Sequence, residues 1–380
     1  MRRFGLIIAM FLLGGFGGGA SGATFNGLYA ATPMLDGPRK KLPDTVYQSD
    51  VFGVYVRLVW NVIEPRKGRY DWTTLDAETS RAVASGKQLS IGVATGSLAP
   101  RWLYKQGVEH ARFIVDGPHA RGTCLKLTIP VPWDPIYQQE YAAMLSAMTL
   151  HLQRTGAYGA VRVVKITPMN EWTQETRLPS EPGPHKEGGC REVSNAVATW
   201  QRLGYRPRKA VHAWREAAQS VETAFPGKVL GIAILDNNDF PLIDDNGNAL
   251  ESKTSPGWVD VKGKIIASGI RKFPGRFMVG WQALGQTETS PVVIDAGANG
   301  AIEAWQTNMH LSTRRAGCDS SPGHDYATCD RSTYHSILDN GISAGARYIE
   351  IWPNDLLAFP HAVAKAQALL AQSTSHRSDE

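Results

Sequence analysis

The sequence predicts an α/β fold of the (β/α)8 TIM-barrel class with long loops after its strands. Three observations lead there. Eight short apolar segments, at 25–31, 55–60, 88–94, 161–167, 229–235, 277–284, 301–306 and 347–352, have the length and composition of buried parallel strands. Helical patterns fall between most of them, as crossover connections require. The segments after the fourth and seventh strands, 173–194 and 311–331, are long and polar, and barrel enzymes build their sites from such loops. An open doubly wound sheet would present similar strands, but no glycine-rich nucleotide loop follows the first one. No internal repeat of 20–50 residues is present.

The elements can be justified in chain order. Arg2 and Arg3 precede an apolar run at 6–13, a Gly/Ala-rich stretch, and small residues at Ser21 and Ala23. This pattern predicts a signal peptide over 1–23, cleaved before Thr24. The run is far shorter than the roughly 20 residues of a spanning helix. The expected address is secreted or periplasmic, with no membrane association after cleavage. Residues 24–372 then form a single barrel domain, and 373–380 read as a disordered tail. Asp71 can cap a helix through Ala84, and Asp134 one through Gln153, with Gly156 near its end. Further helices are expected at 208–225 and 361–372.

Composition excludes several classes. The net charge of +5 over 380 residues is too small to argue for nucleic acid, and the basic run at 38–41 reads as a solvated loop. The cysteines are Cys124, Cys190, Cys318 and Cys329. An even number in an exported chain permits two disulfides. Cys318 and Cys329 share one polar loop and are expected to pair, which leaves Cys124 with Cys190, although three connectivities are open. There is no C-x-x-C pair. His110, His310, His324 and His335 lack metal-binding spacing, so no zinc or other metal is expected. The absence of a G-x-S-x-G elbow argues against a serine hydrolase. A monomer without cofactor is expected.

The strongest local signal is VRVVKITPMNEW at 161–172. A buried strand runs into a turn that delivers Asn170 and Glu171 to its C-terminal mouth beside an aromatic ring. Cleaving a glycosidic bond requires one protonated carboxyl to assist the leaving sugar and one ionised carboxylate at the anomeric carbon. A partly enclosed Glu at a strand end can have its pKa raised for the first role. Taken alone, a plain surface Glu would look the same.

Asn-Glu ending the fourth strand resembles the acid/base signature of clan A of the glycoside hydrolases. A second stretch agrees. VRLVWNVIEPRKGRYDWTTLD, at 56–76, is similar to the second-strand region of β-galactosidase-like enzymes of that clan through Trp60, Glu64, Pro65, Gly68, Tyr70, Asp71, Trp72, Leu75 and Asp76. The resemblance implies a retaining β-glycosidase. Glu171 would be the acid/base, Arg57 would support the nucleophile, Asn170 would bind the sugar 2-hydroxyl, and Trp352 would floor the subsite. The clan's nucleophile ends the seventh strand, where Glu303 is expected to serve. Glu303 and Trp305 share a face by period-two alternation. Glu350 on the eighth strand sits in the same local I-E-x-W pattern and remains the alternative nucleophile, otherwise a sugar ligand. Trp60 and Trp305 are candidate sugar platforms, and Trp72 reads as packing. Asp236, Asn237, Asn238 and Asp239 after the fifth strand could bind sugar hydroxyls or calcium, or form a plain polar turn, and Gln282 and Gln286 on the sixth could bind hydroxyls. The expected partner is a poly- or oligosaccharide. A non-catalytic glycan-binding barrel and a transglycosylase remodelling an exopolysaccharide are the competing functions.

Overall fold

The computed structural model describes residues 25–37, 40–116, 124–181, 185–187, 190–236, 240–308, 311–312 and 329–372. The expected leader and tail lie outside these residues, as do Cys318, His310, His324 and residues 237–239.

Twelve strands are present among the described residues: β1 (Gly27–Ala31), β2 (Gly53–Val59), β3 (Gln88–Ala94), β4 (His110–Asp116), β5 (Cys124–Pro130), β6 (Val161–Lys165), β7 (His185–Glu187), β8 (Cys190–Val193), β9 (Val229–Ile234), β10 (Phe277–Leu284), β11 (Ile302–Thr307) and β12 (Tyr348–Ile351). Eight of them close a barrel in the order β1-β12-β11-β10-β9-β6-β3-β2, with every neighbouring pair parallel. Each apolar run expected to be a strand is one of these eight. Helices Thr73–Ala84, Pro135–Arg154, Pro207–Ala224, Val261–Lys272, Pro291–Ala298, Arg331–Ser343 and Pro360–Gln372 supply the outer layer. Asp134 caps its helix by accepting from the Ile136 and Tyr137 amides, and Asp71 accepts from the Thr73 amide at 3.0 Å.

Two antiparallel hairpins were not expected. The pair β4–β5 grows from the loop after the third barrel strand, and β7–β8 from the loop after the fourth. A disulfide between Cys124 and Cys190, with α-carbons 5.1 Å apart, ties one hairpin to the other. Cys329 is also disulfide-bonded; its expected partner, Cys318, is outside the described residues. Among the described residues no helix is long and apolar enough to cross a membrane.

Much of the 56–76 motif is a structural clasp. The Trp60 indole donates to Glu64 Oε2 at 2.8 Å, and the Gly68 amide to Glu64 Oε1 at 2.8 Å. Gly68 has φ +66°, where a Cβ is disfavoured. Trp60 itself is fully buried against Tyr137 and Tyr141. Contrary to its expected role as a sugar platform, it packs outside the barrel wall. Trp72 stacks between Tyr70 and His151, as packing predicts.

Candidate active site

Period-two alternation assigns the barrel interior. Near the strand starts the inward residues are apolar or aromatic: Tyr29, Val163, Val229, Met278, Ile302 and Tyr348 join one buried cluster. Two residues further along, the chemistry changes. Lys165 on β6 reaches across the barrel to Glu350 on β12, Nζ to Oε1 2.8 Å, with both side chains 4% exposed. The ammonium also lies over the rings of Tyr55 and Tyr348, at 5.2 and 4.9 Å. Gln306 on β11 donates to the other Glu350 oxygen at 2.5 Å. A buried ion pair costs desolvation that its attraction only partly offsets, so the pair is a weak source of stability for the barrel.

Above this layer, at the C-terminal ends of the strands, opens a cleft of about 620 Å3. Arg57, Glu175, Gln282, Gln306, Trp172 and Trp352 line it. Arg57 is anchored through its amide to Thr32 Oγ1 at 2.8 Å, and its guanidinium lies 5.3 Å from the Trp352 ring centre. Trp352 is fixed by an indole bond to the Thr307 carbonyl at 3.0 Å. A slightly larger hollow, of about 650 Å3, lies outside the barrel between two helices, away from the strand ends.

Among the described residues Glu175 is the carboxylate that lines the cleft, and sequence reasoning passed over it. It sits in the loop after β6, where residue 175 bridges Ala233 on β9 and extends the barrel wall past the end of β6. Its side chain accepts a hydrogen bond from Thr173. Burial pushes its pKa up, and the nearby Glu350 charge adds to this, while Arg177 and Arg57 pull it down. Glu171 stands beside it at the mouth, also with a pKa raised by burial and opposed chiefly by Arg177. Arg177 Nη2 lies 2.8 Å from Glu171 Oε2, and Glu171 is not among the residues lining the cleft. Both carboxyls fall in one run, EWTQE, so sequence contained the signal but not the direction in which the loop turns each of them.

The other candidates divide. Arg57, Trp352 and Gln282 reach the cleft, and Glu350 lies beneath it. Asn170 is fully buried and faces back into its own loop: Nδ2 donates to the Glu175 carbonyl at 2.8 Å, and Oδ1 accepts from Thr95 Oγ1 at 3.2 Å. It shapes the turn that presents Glu175 and does not meet the cleft. Asp236 accepts from Ser290 Oγ at 2.6 Å, and Gln286 is exposed.

Glu303 and Trp305 do share a face, but it is the outer one, which corrects the expectation that they meet the substrate. The inward positions of β11 are Ile302, Ala304 and Gln306. Glu303 projects near the start of β11 toward the helical layer, where a methyl added at Gly297 would collide with its carboxyl and one at Gly345 would fall 3.0 Å from it. Trp305 is buried between barrel and helices, edge-on to Trp281. A glutamine, Gln306, therefore occupies the inward position at the end of the seventh strand.

The model of glycoside hydrolase family 42, described as β-galactosidase, matches residues 52–176, the span from β2 through the loop that carries Glu171 and Glu175. No curated protein sequence matches the chain. Among solved structures, the catalytic domain of a β-amylase from Paenibacillus polymyxa superposes with a TM-score of 0.56 at 11% identity, covering 91% of this chain and all of that one. A psychrophilic glycoside hydrolase family 10 endo-β-1,4-xylanase matches more loosely, with a TM-score of 0.44 at 13% identity over 86% of each chain. The chain thus joins a closed eight-stranded barrel to a segment, residues 52–176, that is similar to the glycoside hydrolase family described as β-galactosidase and that spans the site.

Proposed function

We propose that the chain is an exported glycosidase that cuts a poly- or oligosaccharide in the mouth cleft, with Glu175 as proton donor and Glu350 as the opposing carboxylate. One observation carries this reading: a burial-raised carboxyl on the cleft wall, facing an aromatic floor. A glycosidic oxygen leaves as an alcohol only if it is protonated as the bond breaks, and a carboxyl kept neutral by burial supplies that proton. Glu350, held by Lys165 and Gln306, lies across the barrel from the loop of Glu175. It would act as the nucleophile of a two-step, configuration-retaining displacement. Arg57 and Trp352 would hold the sugar by a charged hydrogen bond and by packing on its C–H face. Export is supported by the Cys124–Cys190 disulfide, since such bonds persist in oxidising compartments. We propose a single catalytic domain over 24–372, acting as a monomer.

Glu171 supports a second reading, because it too is raised by burial and follows Asn170 as the sequence signature requires. Leaving-group dependence separates the two. Glu175→Gln should lower kcat on natural glycans by about 10²–10⁴-fold yet spare the first step on an activated aryl glycoside, whose leaving group needs no proton. If Glu171→Gln shows that pattern and Glu175→Gln does not, Glu171 is the donor.

A further inference from the structure

A second concavity, of about 610 Å3, opens beside the mouth on the side of β3. Its walls are the helix Arg101–Lys105 and one face of the β4–β5 hairpin. Cross-strand pairs Arg112↔Thr128 and Ile114↔Lys126 share a face, so Arg112 and Lys126 project from the same side of the hairpin. The alternate residues, Ala111, Phe113, Leu127 and Ile129, are buried in the core. Burial of the apolar face explains why the other face is polar. It does not explain why that face carries one sign of charge. Arg101, Lys105, His110, Arg112 and Lys126 all line the concavity, and among the described residues no carboxylate does. Among the described residues, Arg101, Lys105, Arg112 and Lys126 have no acidic partner. Crowding unpaired cations is unfavourable unless an anion visits them, and a cleft lined by one sign focuses its field on such a ligand.

The position of this groove connects it to the chemistry. Ser97 lines it, and the Ser97 amide donates to the Glu171 carbonyl at 2.8 Å, so it abuts the wall of the mouth. Lys41 and Arg57 line the cleft with Glu175, and Lys40 lines it while paired with Asp36 at 2.8 Å.

We infer that the substrate is an anionic glycan, and that the groove between the Arg101–Lys105 helix and β4–β5 is a subsite for its carboxylate or sulfate groups. The inference rests on the glycosidase reading for the identity of the ligand as a glycan. Guanidinium and ammonium groups on a short helix and a hairpin can meet successive charged sugar units along an extended strand, and the groove leads toward the carboxyls that would cut it.

Titration calorimetry of the full chain tests this with three short oligosaccharides of equal length: an oligogalacturonate, a sulfated galactan fragment and a neutral galactan fragment. At low salt either or both anionic ligands should bind at least about tenfold tighter than the neutral one, the size of one charge-assisted contact. The advantage should shrink as salt screens it. Arg112→Ser/Lys126→Ser, both at exposed positions, should lose most of the advantage, while Lys264→Ser on the outer helical layer should keep it. Thermal melting checks that each variant is folded. Equal binding of neutral and anionic ligands would overturn the subsite, as would an unchanged preference in the double variant. A single-stranded oligonucleotide of equal charge binding as tightly as the glycans would also overturn it, since that marks a general polyanion surface. Anionic preference without cleavage would support the subsite and count against the Glu175 chemistry. Cleavage of the neutral fragment with no anionic preference would do the reverse.

Discussion

Glu175 and Glu303 show how much a side chain's direction matters. Both are glutamates on or beside barrel strands, yet one lines the cleft and the other projects into the helical layer. Alternation correctly joined Glu303 to Trp305, but a period of two states only that they share a face. Which face is inward was decided by the apolar residues of β11: Ile302 and Ala304 fill the narrow interior, and the bulky Trp305 takes the roomier outer layer. Glu303→Gln, which preserves shape, should therefore leave activity within about twofold, as substitutions away from a site do; steady-state kinetics will check this. Glu175 carries a stability signature as well. Its folded pKa lies above the unfolded value, so the folded state binds the extra proton. Wild-type stability should then fall as pH rises from the ordinary carboxylate range through the raised pKa, and stay lower above it. Glu175→Gln cannot charge, so it should match the wild type at low pH and melt at a higher temperature at neutral pH. Melting curves across pH would contradict this assignment if the variant were less stable at neutral pH than at low pH relative to wild type.

At the scale of elements, the eight barrel strands were legible because each is a continuous apolar run bounded by polar turns, and the capped helices because Asp71 and Asp134 stand where helix amides need acceptors. The hairpins were not legible. In LKLTI apolar residues alternate with polar ones, and ARFIV is rich in apolar and β-branched residues, strand signals that lay inside what looked like a long connecting loop. The loop after β6 hid its geometry for a different reason. Its turn depends on distant partners: Asn170 bonds to Thr95, and Gly96, at φ +52°, packs so closely on the Asn170 backbone that a Cβ would collide with it. The disulfide joins these loop systems across 66 residues of sequence. Cys124→Ser/Cys190→Ser should lower stability by about 2–4 kcal/mol, chiefly by freeing the unfolded chain. Denaturant titration measures it, and an unchanged midpoint would show that the hairpins hold without the bridge.

For the whole molecule, a layered interior explains why fold and function could be read separately. The lower barrel is filled with Tyr29, Val163, Met278, Ile302 and Tyr348, which hold the eight strands in register. The Lys165–Glu350 pair and the cleft occupy the opposite end, where loops differ most freely. The barrel class followed from the strands alone, whereas the site needed the three-dimensional placement of loops. The most direct test of the central claim is incubation of the folded wild type and Glu175→Gln with a panel of neutral and anionic polysaccharides, with chromatographic analysis of the products. The wild type should release oligosaccharides from at least one member of the panel, and Glu175→Gln should release about 10²–10⁴-fold less from the same glycan in the same time. Undiminished release by Glu175→Gln would contradict the account.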